Sequence, residues 1–83
     1  MSDTLKTTKH AVQYRSKGAG LLWKPRQKAL MAEIENEEYP GFCLGCGEFT
    51  TGVEPDARRY RCEDCGAPLV FGCEELLIAG RYA

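Results

Sequence analysis

The sequence predicts a small α+β domain stabilised by a metal ion, in which a helix and a basic N-terminal arm precede a β-hairpin carrying two cysteine turns. Three observations lead there. Cys43-Leu44-Gly45-Cys46-Gly47 and Cys62-Glu63-Asp64-Cys65-Gly66 are two C-x-x-C-G units joined by a connector, with fifteen residues between the paired cysteines. At 83 residues the chain can bury only a modest core, and scaffolds of that size usually need a staple. The net charge of −1 also hides a split. Residues 1–30 carry seven Lys and Arg against one acid (+6), and residues 31–83 carry four Arg against eleven acids (−7).

The cysteine pairs fix the chemistry. Four thiolates can close a tetrahedral shell around one Zn²⁺, with sulfur about 2.3 Å from the metal. The expected ligands are Cys43, Cys46, Cys62 and Cys65. The glycine after each pair permits a tight turn, so that backbone N–H groups can point back at sulfur. A structural zinc site contributes roughly 10–16 kcal/mol in small peptides, as much as a small domain's whole stability or more. The C-terminal half is therefore expected to be unfolded without metal. Five cysteines are an odd number for a complete disulfide framework. Met1-Ser2-Asp3-Thr4-Leu5-Lys6 is polar, without the apolar core of a secretory leader, and no apolar run is long enough to span a bilayer. The expectation is a cytoplasmic protein, away from membranes, in a compartment where C-x-x-C pairs bind metal or do redox work.

Three segments follow in order. Residues 1–20 read as a basic, flexible arm rich in Ser, Thr, Lys and Gly, with Ser16-Lys17-Gly18-Ala19-Gly20 as a breaker. Residues 10–15 alternate weakly, enough to add to a sheet edge on binding. His10 is expected to be exposed, since four cysteines already satisfy a metal. Residues 21–40 hold the apolar cluster Leu21-Leu22-Trp23 and an amphipathic helix over about residues 25–38. Pro25 suits a first helical turn, and Ala29, Leu30, Met31 and Ile34 make a narrow apolar face. Tyr39-Pro40-Gly41 stops the helix. Its charges oppose its dipole: Lys24, Arg26 and Lys28 stand at the start, Glu35, Glu37 and Glu38 at the end. Each such charge works against the helix by roughly 0.3–1 kcal/mol, so the helix must lean on something. Packing on the ribbon is the simplest support, and a partner's groove is the sharper reading.

Residues 41–83 form the metal-bound unit. Glu48 to Val53 reads as a short strand or wide turn, and Glu54-Pro55-Asp56 as a turn. Arg58-Arg59-Tyr60-Arg61 reads as a strand with Arg59 and Arg61 on one face and Arg58, Tyr60 and Cys62 on the other. Pro68-Leu69-Val70-Phe71 is a second strand ended by Gly72. Cys73 to Gly80 reads as a short closing helix, with Glu74 and Glu75 matching the dipole and Gly80 as its cap; a strand is the alternative. Cys73, eight residues past Cys65, reads as a buried inert thiol, with a substitute ligand as the alternative.

On these residues a resemblance can be stated. Phe42-Cys43-Leu44-Gly45-Cys46-Gly47 and Arg61-Cys62-Glu63-Asp64-Cys65-Gly66-Ala67 resemble the two knuckles of the zinc-ribbon class, which is shared by transcription factors, ribosomal proteins, nucleic-acid enzymes and many small bacterial and phage proteins. The resemblance covers residues 42–72 and implies a ligand role for the four cysteines and one structural zinc ion. It leaves function open. Rubredoxins also resemble the pattern, which would mean iron and electron transfer, but they typically place proline inside the second knuckle, where this chain has Glu63-Asp64. The DksA-like regulators of bacterial RNA polymerase resemble it in having a helix ahead of such a finger, in a loosely similar connector at Pro55-Asp56-Ala57-Arg58, and in an acid, Asp3, near the N-terminus. Their second knuckle opens a helix, whereas residues 67–71 here read as strand. A dithiol redox role would need a strand-then-helix setting that neither pair has.

No catalytic set is visible. A four-thiolate site leaves no open position for water, the single His lies in the arm, and no phosphate-binding glycine loop is present. The chain is expected not to be an enzyme, and two function classes remain. In the first, which is the expected one, a protein-binding module or small regulator docks its acidic ribbon and amphipathic helix on a partner, such as a component of a nucleic-acid machine; the charge polarity also suits self-association. In the second, the basic arm binds nucleic acid. The candidate contacts for either partner are Lys6, Lys9, Arg15, Lys17, Trp23, Lys24, Arg26, Lys28, Arg58, Arg59 and Arg61, with Tyr14 and Trp23 available to stack on bases.

Overall fold

The computed structural model describes residues 5–18, 20–36 and 38–83. Asp3, Ala19 and Glu37, named above, lie outside the described residues.

The chain opens with an antiparallel hairpin. Strand β1 (Ala11–Ser16) pairs with β2 (Gly20–Pro25), in register from Ala11 opposite Pro25 to Ser16 opposite Gly20. Residues 11–16 are therefore strand, where the sequence suggested an arm, and the boundary expected between residues 20 and 21 falls inside a hairpin. Of the residues read as a breaker, Ser16 ends β1, Gly20 begins β2, and Lys17 and Gly18 turn between them. Gly18 and Gly20 have φ of 82° and 73°, the left-handed geometry that tight hairpin turns demand. Ala11 and Leu22 are buried, with Tyr14 and Trp23 packed against the same core.

Pro25 closes β2 instead of opening a helix. Its carbonyl accepts from the Ala83 N–H at 2.8 Å, while the Gln27 N–H donates to the Ala83 carbonyl at 2.9 Å. Helix α1 (Gln27–Asn36) follows, with no acid in its first turn and no base in its last. Packing supports it where its charges do not: Leu30 is fully buried, Ile34 packs on the core, and α1 lies against the closing helix. Met31, expected on the apolar face, is exposed. The chain turns at Tyr39 through a positive φ of 54°.

The cysteine-rich half is built on a three-stranded antiparallel sheet. Strand β3 (Gly41–Cys43) is central, flanked by β4 (Phe49–Thr50) and β5 (Val70–Gly72). Only Phe49 and Thr50 of the expected residues 48–53 pair. The strand expected over residues 58–61 shrinks to one bridge: Tyr60 and Val70 exchange hydrogen bonds of 2.9 and 3.0 Å. Arg59 has φ 57°, and this left-handed residue breaks the two-face alternation predicted there. Helix α2 (Cys73–Ala79) follows β5 directly, and Gly80 caps it at φ 71°. Phe42, Leu44, Phe71, Cys73 and Leu76 join Ala11, Leu22 and Leu30 in one core, so the hairpin, both helices and the sheet share it. Val53, Ala57 and Val70 form a second cluster around Cys43 and Cys62. Among the described residues no helix is long and apolar enough to cross a membrane.

Candidate metal centre

The two cysteine turns are built alike from the backbone up. In the first, the Cys43 N–H donates to the Glu48 carbonyl at 3.0 Å and the Gly47 N–H to the Cys43 carbonyl at 2.9 Å. In the second, the Cys62 N–H donates to Ala67 at 2.9 Å and the Gly66 N–H to Cys62 at 2.9 Å. Gly47 and Gly66 take φ of 74° and 75° to close these turns. Backbone N–H groups then aim at sulfur: Gly45 donates to Cys43 Sγ at 3.3 Å and Cys65 to Cys62 Sγ at 3.4 Å. Leu44 N–H to the Leu69 carbonyl, 2.9 Å, ties the turns together.

The four sulfurs of Cys43, Cys46, Cys62 and Cys65 lie within 4.8 Å of one another. Cys43 and Cys65 are 3.6 Å apart, Cys46 and Cys62 3.8 Å. Thiolates arranged tetrahedrally about 2.3 Å from one ion stand about 3.8 Å from each other, so these separations fit a shared ion of that size. They are far longer than a disulfide bond, and all five cysteines are free. The cluster can hold a metal ion.

Without a cation the thiols of Cys43, Cys46 and Cys62 are pushed in different directions. The Cys62 thiol is held down to about 7, first by the Cys65 N–H and then by that of Asp64. Burial pushes Cys43 up, against the N–H groups of Cys46 and Gly45, and it pushes Cys46 up further, with the neighbouring sulfurs adding to the effect. A divalent cation at the centre would offset the cost of burial, because it favours the thiolate form of its ligands.

Cys73 takes no part. It is fully buried at the start of α2 and outside the cluster, its thiol pushed up to about 12 by burial and then by the Glu33 and Glu74 carboxylates. His10 is exposed and meets the edge of Phe49, with ring centres 6.2 Å apart.

The basic candidates do not form one face. Lys6, Lys9, Arg26 and Lys28 are exposed along the start of the chain and around α1, and Arg26 Nε donates to the Thr8 carbonyl at 3.1 Å. Lys24 sits over the Tyr14 ring at 5.2 Å. Arg15 and Arg61 are exposed, Arg61 beside the metal site. Trp23 is committed to packing: a Cβ on Gly47 would come within 2.6 Å of its ring, and its N–H donates to the Leu44 carbonyl at 2.7 Å. Arg58 pairs with Glu75 at 3.0 Å. Lys17 and Arg59 reach one groove from opposite ends of the sequence, and there they meet Arg81, which sequence reasoning did not single out. Its only signal was its place directly after the helix-capping Gly80.

Comparison with protein-family models, with curated proteins and with solved structures gave no match.

Proposed function

We propose that the four cysteines hold one structural Zn²⁺ and that the chain is a non-enzymatic zinc-ribbon interaction module of a reducing, cytoplasmic setting, with nucleic acid as its partner class. The observation that carries the scaffold reading is the four-sulfur cluster itself. Four protein thiolates fill a tetrahedral shell, so the ion has no position left for a reacting water and acts by closing the two turns. Cys43 and Cys46 fix the turn on the central strand; Cys62 and Cys65 draw the second turn onto it.

The choice of partner rests on what the fold leaves available. The apolar face of α1, a surface the sequence offered to a protein partner, is occupied by core packing at Leu30 and Ile34. The convergence of Lys17 and Arg59 on one groove supports an anionic partner. A protein partner is the second reading. It is favoured by another surface, where Glu48, Glu63 and Asp64 line a hollow of about 280 Å³ beside Cys43, Cys46 and Cys62 and would suit a basic segment.

Metal analysis of the purified chain with an absorption spectrum tests the scaffold. One zinc per chain and no visible bands are expected. One iron per chain, with thiolate-to-metal bands that bleach on reduction, would replace this reading with an electron carrier.

A further inference from the structure

Three of the four cations in the acidic half, Arg58, Arg59 and Arg81, line neighbouring hollows that share Arg59, Phe71 and Arg81. The larger, about 460 Å³, runs from the N-terminal hairpin to the exit of the second knuckle, with Lys17 and Tyr14 on one side and Leu69 on the other. The smaller, about 330 Å³, continues toward α2. Together they make one trough with a partly apolar wall. Among the described residues its ion pairing is limited to Arg58 with Glu75. Lys17, Arg59 and Arg81 are left as converging positive charge on a chain whose net charge is −1.

Each of these three cations is set by a turn. Lys17 lies in the β1–β2 turn, where the Ser16 hydroxyl donates to the Gly20 carbonyl at 3.0 Å. Arg81 follows the Gly80 cap; its N–H donates to the Leu76 carbonyl at 2.9 Å and its guanidinium lies 5.5 Å over the Phe71 ring. Arg59 stands in the left-handed region, which a residue with a Cβ enters only at a cost. Its neighbours hold it there: Tyr60 is bridged to Val70, and the Ala57 carbonyl accepts from Gly72 at 3.0 Å. A left-handed residue held beside converging like charges marks a binding feature, since the repulsion among those charges falls when an anion arrives.

We infer that this trough is the nucleic-acid site of the module and takes a single strand, phosphates on Lys17 and Arg59, a base against the Arg81 guanidinium plane and the Leu69 wall. The inference rests on the nucleic-acid reading given above. Cations set on fixed turns lose little freedom on binding. A guanidinium held over an aromatic ring can offer its outer side to a base. A duplex fits less well, because a groove of this size admits one strand and the acidic remainder of the domain repels a second row of phosphates.

The test uses the zinc-loaded full chain and fluorescence anisotropy at 50 mM salt. Its probes are a labelled 12-mer of mixed single-stranded DNA, the matching duplex and a labelled oligo-glutamate. The key variant is Arg59→Gly, which removes the charge while relieving the left-handed strain, so that its fold and zinc content should hold; Arg81→Gln is the second. The single strand should bind best, with affinity falling steeply as salt rises. Each variant should weaken it about tenfold; Arg59→Gly should also flatten the log–log salt slope by about 0.7 for the phosphate left without its cation, whereas Arg81→Gln, which loses a base contact, should leave the slope nearly unchanged. Oligonucleotide binding that neither variant changes would overturn the trough and leave the nucleic-acid reading standing. No oligonucleotide binding at low salt would overturn both. Oligo-glutamate binding of equal strength, lost in the same variants, would reassign the trough to an acidic protein segment and overturn the inference.

Discussion

The two cysteine turns share a backbone and differ in their surroundings. The first is enclosed. Cys43 and Leu44 are almost fully buried, Trp23 covers Gly47, and a β2 N–H bonds directly to the Leu44 carbonyl. The second is open: Glu63, Asp64, Cys65 and Gly66 are all exposed, and one bridge at Tyr60 and Val70 holds its stem to the sheet. The first turn is thus supported by tertiary packing, whereas the second has little besides the shared cysteine cluster to hold it, and on the reading proposed above it would depend on the ion. Identical local sequence logic gives unequal stability, because stability follows what packs over a turn.

That contrast can be broken in several ways. The largest effect is expected from the ligands. Cys43→Ser places a hydroxyl in a dry site on the central strand and should abolish both zinc binding and the cooperative melt. Cys65→Ser should weaken zinc yet retain it at high concentration, because water can reach the exposed fourth position. Zinc competition with a chromophoric chelator, together with thermal melts, measures both. Equal loss in the two variants would mean that the enclosure of the first turn contributes nothing.

Glycine substitutions come next. Gly47→Ala meets both a left-handed φ and the Trp23 ring, and should cost about 2–5 kcal/mol. Gly66→Ala meets open space and should cost only the strain, about 1–2 kcal/mol. Denaturant melts of the zinc-loaded variants decide the ranking. Trp23→Ala removes the cover itself. As a half-buried ring it should cost about 2–3 kcal/mol, less than the ~3–5 of a fully buried one, and it should speed zinc release from the first turn.

The smallest effect concerns Cys73. Its folded pKa of about 12 lies above the ordinary 9.0, so the fold favours the neutral thiol. That contribution is fully present below pH 9 and is lost as pH rises towards 12. Alkylation of Cys73 at pH 8 should therefore be slow in the zinc-loaded protein and fast once a chelator opens the fold, as peptide mapping would read. Rapid native labelling would contradict its burial.

These contrasts also mark how far the sequence could be read. The four-cysteine cluster was legible because C-x-x-C-G encodes its own turn: a glycine at positive φ and N–H groups on sulfur are local events. The closing helix was legible for the same reason, with acids at its start and Gly80 at its end. The N-terminal strand was not. Its pairing depends on Leu22 and Trp23 docking on a turn about twenty residues further on, and a Lys- and Gly-rich segment looks loose until that surface exists. Pro25 misled because a proline suits a strand end as well as a helix start. Arg59 misled because alternation assumes extended backbone, and nothing local announces a left-handed residue.

The central claim is that one ion closes both turns and thereby completes the fold. Titrating zinc into the metal-free, reduced chain while recording ¹⁵N–¹H correlation spectra tests it most directly. The account predicts poorly dispersed amides for residues 41–72 without metal, and dispersed signals that grow in together and stop changing at one equivalent. A chain already dispersed over those residues without metal, or one still changing beyond one equivalent, would contradict it.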